Sequence, residues 1–133
     1  MRKSVKNVKT EKIAVIIPAY NEENTIGNVL QEISHLTRDH FVVVVDDGSN
    51  DNTANISRMH PNVEVISHPT NLGQWAALRT GFIVALLNHA TIIVTLDGDG
   101  QHDSKYIHEL TEPIERNEAE IVSGSRFILN SVS

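Results

Sequence analysis

The sequence predicts an α/β domain built on a mainly parallel sheet with helices on both faces. Short apolar runs rich in valine and isoleucine alternate along the chain with segments of helical periodicity. Such runs are typical of strands covered on both faces, and their alternation with helices favours parallel strands. Polar clusters follow three of the runs, at the edge where open α/β sheets bind ligands. The chain is therefore predicted to place a ligand site at the carboxyl ends of its strands.

The first predicted strand covers residues 13–17, and Pro18 is expected to end it because proline cannot donate to a ladder. A helix is expected next, with its buried face predicted from helical spacing. That face would hold Ile26, Val29, Leu30 and Ile33. Asn21 or Asn24 is the candidate cap of this helix. Glu22 and Glu23 are expected in its first turn, where negative charge is favoured.

Residues 41–45 and 63–66 are the second and third predicted strands. Between them, a short helix through about Met59 has candidate caps in Asp51, Asn52 and Thr53. A longer helix is predicted to open at residues 71–73 and to contain Gly81, which is expected to cost stability. Its predicted apolar face holds Trp75, Leu78, Phe82, Ala85 and Leu86, and Trp75 and Leu78 are expected in the core.

Residues 91–96 form the fourth predicted strand. A helix over residues 103–112, capped by Asp103 or Ser104 and ended or kinked by Pro113, and a short strand at 121–123 are expected after it. We expect residues 1–12 to be a flexible basic terminus and residues 13–133 to form one domain.

The charge is unevenly distributed. Of 11 basic and 17 acidic residues, residues 1–12 hold five basic and one acidic, so the remainder has 6 basic and 16 acidic residues, a net charge of −10. So acidic a body argues against nucleic acid as a partner. The chain has no cysteine, which excludes disulfide and thiolate chemistry and fits a reducing compartment. No apolar run reaches the length of a membrane span, whereas the basic terminus could touch an anionic membrane surface.

The carboxylates after the fourth predicted strand are the strongest chemical signal. Asp97 and Asp99 are two apart and point the same way if strand geometry persists. Glycines at 98 and 100 permit tight turning and close approach of a ligand to the backbone. Oxygen-only ligands of this kind suit Mg²⁺ or Mn²⁺ better than zinc. We interpret the cluster as a metal-diphosphate site.

The sequence does not match other common phosphate- and metal-binding motifs. Calcium loops starting at Asp47 or Asp97 would need glycine at the sixth place, where Asn52 and His102 stand. No dinucleotide fingerprint and no Walker lysine loop is present. The candidate cations for a diphosphate are Arg79 and Arg126, of which Arg126, after a predicted strand and a glycine, is preferred.

Taken together, the motifs resemble those of family 2 glycosyltransferases with the GT-A fold, in the branch of dolichyl- and polyprenyl-phosphate sugar synthases. They occur in the family's order across almost all of residues 13 to 127. They are Ile16-Ile17-Pro18-Ala19-Tyr20-Asn21-Glu22-Glu23, Val45-Asp46-Asp47-Gly48-Ser49, Asn71-Leu72-Gly73 with Ala76-Ala77-Leu78 and Gly81, Asp97-Gly98-Asp99-Gly100-Gln101-His102-Asp103, and Gly124-Ser125-Arg126-Phe127. The resemblance implies the N-terminal, nucleotide-sugar-binding part of such an enzyme.

The resemblance also implies residue roles. Asp46 or Asp47 would read the base. Asp97, Asp99 and Gln101 would hold the metal, with Asp99 the direct ligand, and Arg126 would meet a phosphate; Asp97, Asp99 and Arg126 are thus the implied catalytic residues. The implied nucleotide-sugar pocket comprises Pro18, Ala19, Tyr20, Glu22, Asp46, Asp47, Asn71, Gly73, Asp97 and Gly98.

Two positions depart from the family. Gln74 stands where lysine is common in this branch, and Ser104 replaces a usual proline. The family continues beyond Arg126 with its acceptor-binding part, so we expect that part to be largely missing here.

The expected activity is inverting, metal-dependent transfer from a nucleoside diphosphate sugar, with Mg²⁺ or Mn²⁺ as cofactor and a polyprenyl phosphate as the implied acceptor. A cytoplasmic location, at the cytoplasmic face of a membrane for a lipid phosphate acceptor, and a homo-oligomer fit this hypothesis. The alternatives are a non-catalytic nucleotide-sugar-binding module that needs a partner, and a sugar-phosphate nucleotidyltransferase. The latter is disfavoured because residues 18–23 contain no glycine and are acidic.

Overall fold

The computed structural model describes residues 12–36 and 40–99, in which four strands and three helices alternate. The elements are β1 (Ile13–Ala19), α1 (Ile26–Leu36), β2 (Phe41–Asp46), α2 (Thr53–Arg58), β3 (Val63–Ser67), α3 (Gln74–Leu87) and β4 (Ile92–Thr95). All strand pairs are parallel, in the order β3-β2-β1-β4. The prediction of a parallel sheet is confirmed. The predicted helix at 103–112, the strand at 121–123 and the basic terminus at 1–11 lie outside the described residues.

The sheet is covered on both faces, as predicted. Helices α1 and α2 pack on one face, where Ile26, Val29, Leu30 and Ile33 of α1 join Val15, Ile17, Val42, Val44, Ile92 and Val94 of the sheet. Helix α3 covers the other face and contacts β1, β2 and β4. The valine- and isoleucine-rich runs are apolar on both sides because both sides are buried.

Strand β1 extends two residues past its predicted end. Pro18 lies in the strand and pairs in register with Val45 of β2, so the expectation that proline terminates it is wrong. The carbonyl of Ala19 accepts from the backbone N–H of Asp47, just after β2. Because the backbone groups of successive strand residues point to opposite sides, those of Pro18 point toward β4. Pairing with β4 stops at Ile16, whose carbonyl accepts from Leu96. The missing N–H of Pro18 therefore faces the side where the ladder has already ended.

Helix α1 begins later than predicted, at Ile26. Glu22 and Glu23 precede it, and the carbonyl of Glu22 accepts from the backbone N–H of Ile26 at 2.9 Å. The side chain of Asn21 does not cap this helix: its Oδ1 accepts from the backbone N–H of Asn50 at 2.9 Å. The side chain of Asn21 thus binds the loop after β2 and not the first turn of α1.

The predicted apolar face of helix α3 is confirmed only in part: Ala85 is buried and Leu78 packs against the core, but Trp75, Phe82 and Leu86 are exposed. Its buried residues are Ala77, Gly81 and Ala85, whereas Trp75 is 83% exposed and Leu86 is 63% exposed. A Cβ on Gly81 would lie 2.3 Å from Cγ2 of Ile16, so the helix runs too close to β1 for larger side chains. Small residues face the sheet for this reason, and Gly81 is a contact point within one continuous helix.

Candidate functional site

An open cleft of about 410 Å³ lies beyond the carboxyl ends of β1, β2 and β4, beside the first turn of α3. Its lining is Pro18, Ala19, Tyr20, Glu22, Asp47, Asn71, Gly73, Gln74, Ala77, Asp97, Gly98 and Asp99. The cleft thus gathers the implied nucleotide-sugar residues except Asp46, together with Asp99. Gln101 and Arg126 lie outside the described residues.

Five hydrogen bonds join the loop after β1 to the loop after β2. Backbone N–H groups donate across the two loops in both directions. The bonds are Asn21 N to Ser49 Oγ at 2.8 Å, Glu22 N to Thr53 Oγ1 at 2.8 Å, Glu23 N to Asp51 Oδ2 at 3.2 Å, Asn50 N to Asn21 Oδ1 at 2.9 Å and Asn52 N to Glu23 Oε1 at 3.1 Å. Because these backbone N–H groups find their acceptors in the other loop, the two loops hold each other in place beside the cleft.

Adjacent aspartates at the end of β2 have separate roles. Asp46 is the last residue of the strand and is 5% exposed. Its Oδ1 accepts from the backbone N–H of Ser49 at 3.0 Å, and its Oδ2 accepts from Oγ of Ser67 at 3.1 Å. Asp46 is therefore a structural residue that ties β2 to its own turn and to β3. Asp47 lines the cleft instead.

Asp47 organises the segment that leads into α3. Its Oδ1 accepts from the backbone N–H of Leu72 at 2.9 Å, and its Oδ2 accepts from that of Gly73 at 2.8 Å. A third contact of 2.8 Å joins Oδ1 to Nδ1 of His68. Burial raises the pKa of Asp47, but the bonds from His68, Leu72 and Gly73 outweigh it and lower the pKa below its usual 3.8. Asp47 is thus ionised at neutral pH.

Gly48 follows with a positive φ of 77°, which L side chains rarely adopt. A Cβ there would lie 2.3 Å from the carbonyl carbon of Thr70 and 2.5 Å from the backbone nitrogen of Asn71. Only glycine lets these two backbones approach so closely. This approach brings the backbone N–H groups of Leu72 and Gly73 within hydrogen-bonding distance of Asp47.

Opposite Asp47, the turn after β4 places Asp97, Gly98 and Asp99 at the cleft. The pKa of Glu22 is raised above its usual value, chiefly because the carboxyl is partly buried. A hydrogen bond from Thr25 lowers this pKa, whereas the negative charges of Asp99, Asp51 and Asp97 raise it further. Within the described residues, Glu22, Asp97 and Asp99 thus place three carboxylates at this end of the cleft. Carboxylate oxygens are the ligands that Mg²⁺ and Mn²⁺ prefer.

Within residues 12–36 and 40–99, no three histidine, cysteine, aspartate or glutamate side chains lie close enough together to hold a metal ion. Asp97 and Asp99 would thus need further ligands from elsewhere, such as the bound substrate or the implied Gln101, which the structure does not describe. The same part of the chain contains no helix long and apolar enough to cross a bilayer.

Two site features were not predicted from the sequence. His68 and Thr80 form a chain of contacts behind Asp47, with Nε2 of His68 2.7 Å from Oγ1 of Thr80. Oγ1 of Thr25 donates to the carbonyl of Gly98 at 2.7 Å. His68 could have been found as the polar residue directly after β3, at the same sheet edge as the other clusters. The role of Thr25 depends on a contact across 73 residues and has no local signal.

A parallel sheet with this strand order and an acidic cleft at its carboxyl edge matches the nucleotide-binding half of the GT-A fold. The chain belongs to glycosyl transferase family 2, whose family model matches residues 14–132.

Similar proteins agree with this assignment. The chain is 38% identical over 130 residues to a UDP-N-acetylglucosamine–dolichyl-phosphate N-acetylglucosaminyltransferase of Methanococcus voltae, covering 86% of this chain and 51% of that protein. It is 29% identical over 124 residues to a polyprenol monophosphomannose synthase of Mycolicibacterium smegmatis, covering 90% and 46%. The chain spans about half the length of these curated relatives.

Solved structures show the same architecture. Glucosyl-3-phosphoglycerate synthase from Mycobacterium tuberculosis, in complex with Mn²⁺, UDP and glucosyl-3-phosphoglycerate, superposes with a TM-score of 0.63 at 26% identity, covering 78% of this chain and 39% of that one. Mannosyl-3-phosphoglycerate synthase from Rubrobacter xylanophilus superposes with a TM-score of 0.67 at 21% identity, covering 78% and 36%, and supports the fold alone. The predicted GT-A fold is confirmed.

Proposed function

We propose that this chain forms the donor-binding part of a metal-dependent, inverting glycosyltransferase that uses a nucleoside diphosphate sugar. The observation that carries the proposal is one cleft that joins Asp47 after β2 to Asp97 and Asp99 after β4. Since β1 lies between those strands, the two acidic sites are two strand spacings apart, about 10 Å. This arrangement suits a ligand with a nucleobase at one end and a diphosphate at the other.

Asp47 is the residue that we assign to the base, in preference to Asp46, which lies outside the cleft lining. An ionised carboxylate only accepts, at about four lone-pair positions, and three are occupied by His68, Leu72 and Gly73. The remaining position favours a base whose ring nitrogen carries a proton, such as uracil or guanine. Adenine and cytosine present a bare ring nitrogen there and would face the carboxylate with a repulsive lone pair.

Asp97 and Asp99 are assigned to the diphosphate end. A divalent ion held by their oxygens would neutralise the charge that develops on the diphosphate as the glycosidic bond breaks. The negative charge around Glu22 supports this assignment, since a bare diphosphate would be repelled there. The implied contributions of Gln101 and Arg126 remain part of the proposal.

The transfer itself requires the acceptor oxygen to attack the anomeric carbon from the face opposite the diphosphate. The new bond forms there while the old bond's electron pair leaves with the diphosphate, which inverts the configuration. A phosphate acceptor is already anionic at neutral pH and needs no strong base, whereas a sugar hydroxyl does. The lipid phosphates named for the relatives make a polyprenyl phosphate the proposed acceptor. That acceptor would bring the protein to the cytoplasmic face of a membrane.

A second candidate is a donor-binding module that transfers no sugar by itself. It is favoured by the cleft, whose described lining holds the residues proposed for donor binding. Donor binding without transfer or hydrolysis would support it over the complete enzyme.

The test is calorimetric titration with UDP, GDP, ADP and CDP, each with Mn²⁺ and with excess chelator. We expect UDP or GDP to bind in a metal-dependent manner and ADP and CDP to bind at least tenfold more weakly. A folded protein that binds none of the four nucleotides would overturn the proposal. Equal binding of all four would overturn the assignment of Asp47 alone.

A further inference from the structure

His68 lies directly after β3, between Asp47 and helix α3. Nδ1 is 2.8 Å from Oδ1 of Asp47, and Nε2 is 2.7 Å from Oγ1 of Thr80. The imidazole is 10% exposed. Because the ionised carboxylate can only accept, Nδ1 carries a proton and donates a hydrogen bond to Oδ1 of Asp47.

The position of this imidazole is fixed from both sides. The backbone N–H of His68 donates to the carbonyl of Asp46 at 2.8 Å, which extends the pairing of β3 with β2 by one residue. Thr80 in turn donates to the carbonyl of Ala76 at 3.0 Å, so its hydroxyl is held by α3. His68 therefore bridges the sheet and the helix through its side chain.

The other two donors to Asp47 are backbone N–H groups in a loop. Leu72 and Gly73 lie in the irregular segment before α3. Gly73 has a φ of 104° and nothing within 4 Å of a Cβ built on it, so this segment is open on that side. Of the three donors, only His68 is held by both the sheet and a helix.

We propose that His68 is a positioning residue for the nucleobase: its Nδ1–H fixes the Asp47 carboxylate so that the remaining acceptor position faces the cleft. This inference rests on the proposed donor site. His68 does not touch the nucleotide, and its effect is confined to the base end. Binding at the diphosphate end, two strands away, is independent of it.

The two ring nitrogens allow a sharp test with amide side chains. The amide nitrogen of asparagine sits at the same distance along the side chain as Nδ1, and that of glutamine at the same distance as Nε2. His68→Asn therefore keeps a donor for Asp47 and loses Thr80, whereas His68→Gln keeps a partner for Thr80 and loses Asp47. If His68 only stabilised the fold, the asparagine variant would not bind the nucleotide more tightly than the glutamine variant.

The experiment is calorimetric titration of the full chain and its variants with UDP (or GDP, if wild type prefers it) and with inorganic pyrophosphate, both with Mn²⁺. We expect His68→Ala and His68→Gln to weaken nucleotide binding about tenfold, and His68→Asn to stay within about threefold of wild type. Pyrophosphate affinity should be unchanged in all three. Urea unfolding of each variant identifies any loss of folded protein, and affinities are compared per folded molecule.

The outcomes separate two failures. If wild type binds neither UDP nor GDP, the donor-site proposal fails and this inference falls with it. If wild type binds but His68→Gln equals His68→Asn, or pyrophosphate weakens in parallel with the nucleotide, only the role of His68 is overturned.

Discussion

The hydroxyl of Thr25 donates a hydrogen bond of 2.7 Å to the backbone carbonyl of Gly98. Thr25 lies just before α1, and Gly98 lies between the two aspartates of the acidic turn after β4. A Cβ on Gly98 would lie 3.2 Å from Cδ1 of Ile26 and 3.3 Å from Cβ of Ala19, so the turn rests directly on the core. The loop after β1 therefore anchors the backbone of the turn that carries Asp97 and Asp99.

Thr25→Val should weaken metal-dependent nucleotide binding about three- to tenfold, because the turn loses a hydrogen bond of about 0.5–1.5 kcal/mol. Thr25→Ser is the matched control, since it keeps the hydroxyl, and should bind within about twofold of wild type. The measurement is titration with UDP and Mn²⁺. Equal affinities for the valine and serine variants would show that the bond does not orient the turn.

Asp99→Asn should abolish metal-dependent donor binding and leave the fold intact, because it removes a carboxylate from the proposed metal site. Binding is measured by titration with UDP and Mn²⁺, and folding by circular dichroism. Asp51→Asn is the control, since Asp51 also contributes negative charge near Glu22 but does not line the cleft. Unchanged metal-dependent binding by Asp99→Asn would remove the metal assignment.

Asp47→Asn should destabilise the protein at neutral pH by about 1.5–3 kcal/mol, because charged hydrogen bonds are lost. The folded state lowers the pKa of Asp47 from 3.8, so its stabilisation is present above that pH and is lost as the pH falls through the lower folded pKa. The gap between wild type and variant should accordingly narrow below about pH 3.8. Urea unfolding between pH 3 and 7 measures it, and a gap that stays constant would contradict the electrostatic origin.

Gly48→Ala should cost on the order of 3 kcal/mol of unfolding free energy, because it combines a left-handed backbone with a clash against Thr70 and Asn71. Gly73→Ala is the matched comparison: its φ is also positive, but a Cβ meets nothing within 4 Å. It should cost only about 1–2 kcal/mol, from backbone strain. Urea unfolding distinguishes the two, and equal losses would mean that the close approach of Gly48 to Thr70 is unimportant.

Gly81→Ala should destabilise the protein by about 1–2 kcal/mol, although alanine favours helices by about 1 kcal/mol. The added Cβ meets Cγ2 of Ile16 at 2.3 Å in the buried interface between α3 and β1. In an Ile16→Ala background the same substitution should become stabilising, since the clash is removed and the helical preference remains. The double-mutant cycle is measured by urea unfolding, and additive effects would contradict the proposed contact.

Gly27→Ala serves as a control for the Gly81 experiment. Gly27 lies in α1, and a Cβ there would meet Cγ2 of Ile56 at an ordinary 3.4 Å. This substitution should be neutral or stabilising. A loss comparable to that of Gly81→Ala would show that glycine in these helices has a cause other than close packing.

The sequence predicted the order of strands and helices because each strand is a short β-branched run between turn residues. It failed for Trp75, Phe82 and Leu86 of α3, which were expected to face the core and are exposed. The sequence did not reveal that Gly81 faces the core. Gly81 lets α3 lie so close to Ile16 that the small residues Ala77 and Ala85 occupy the interface, while Trp75 is exposed. Backbone separation is a tertiary property that apolar spacing along a helix does not encode.

The sequence predicted at which edge of the sheet the site lies, but not which contacts each side chain makes there. Asp46 and Asp47 were indistinguishable in the sequence, and the structure separates them because Ser67 and Ser49 engage the first and His68 the second. The contact between His68 and Asp47 joins residues 21 apart on neighbouring strand ends. Such a pair depends on strand register, which the sequence did not fix.

The position of β1 in the middle of the sheet has a consequence for synthesis on the ribosome. Strands β2 and β3 can add to one side of β1 as soon as they emerge, but its other side awaits β4. The 25 residues from the end of β3 at Ser67 to the start of β4 at Ile92 take about 1–5 s to translate at 5–20 residues per second. During that interval the nascent chain exposes an apolar, unpaired strand edge at residues 13–16, which is a substrate for chaperones and for aggregation.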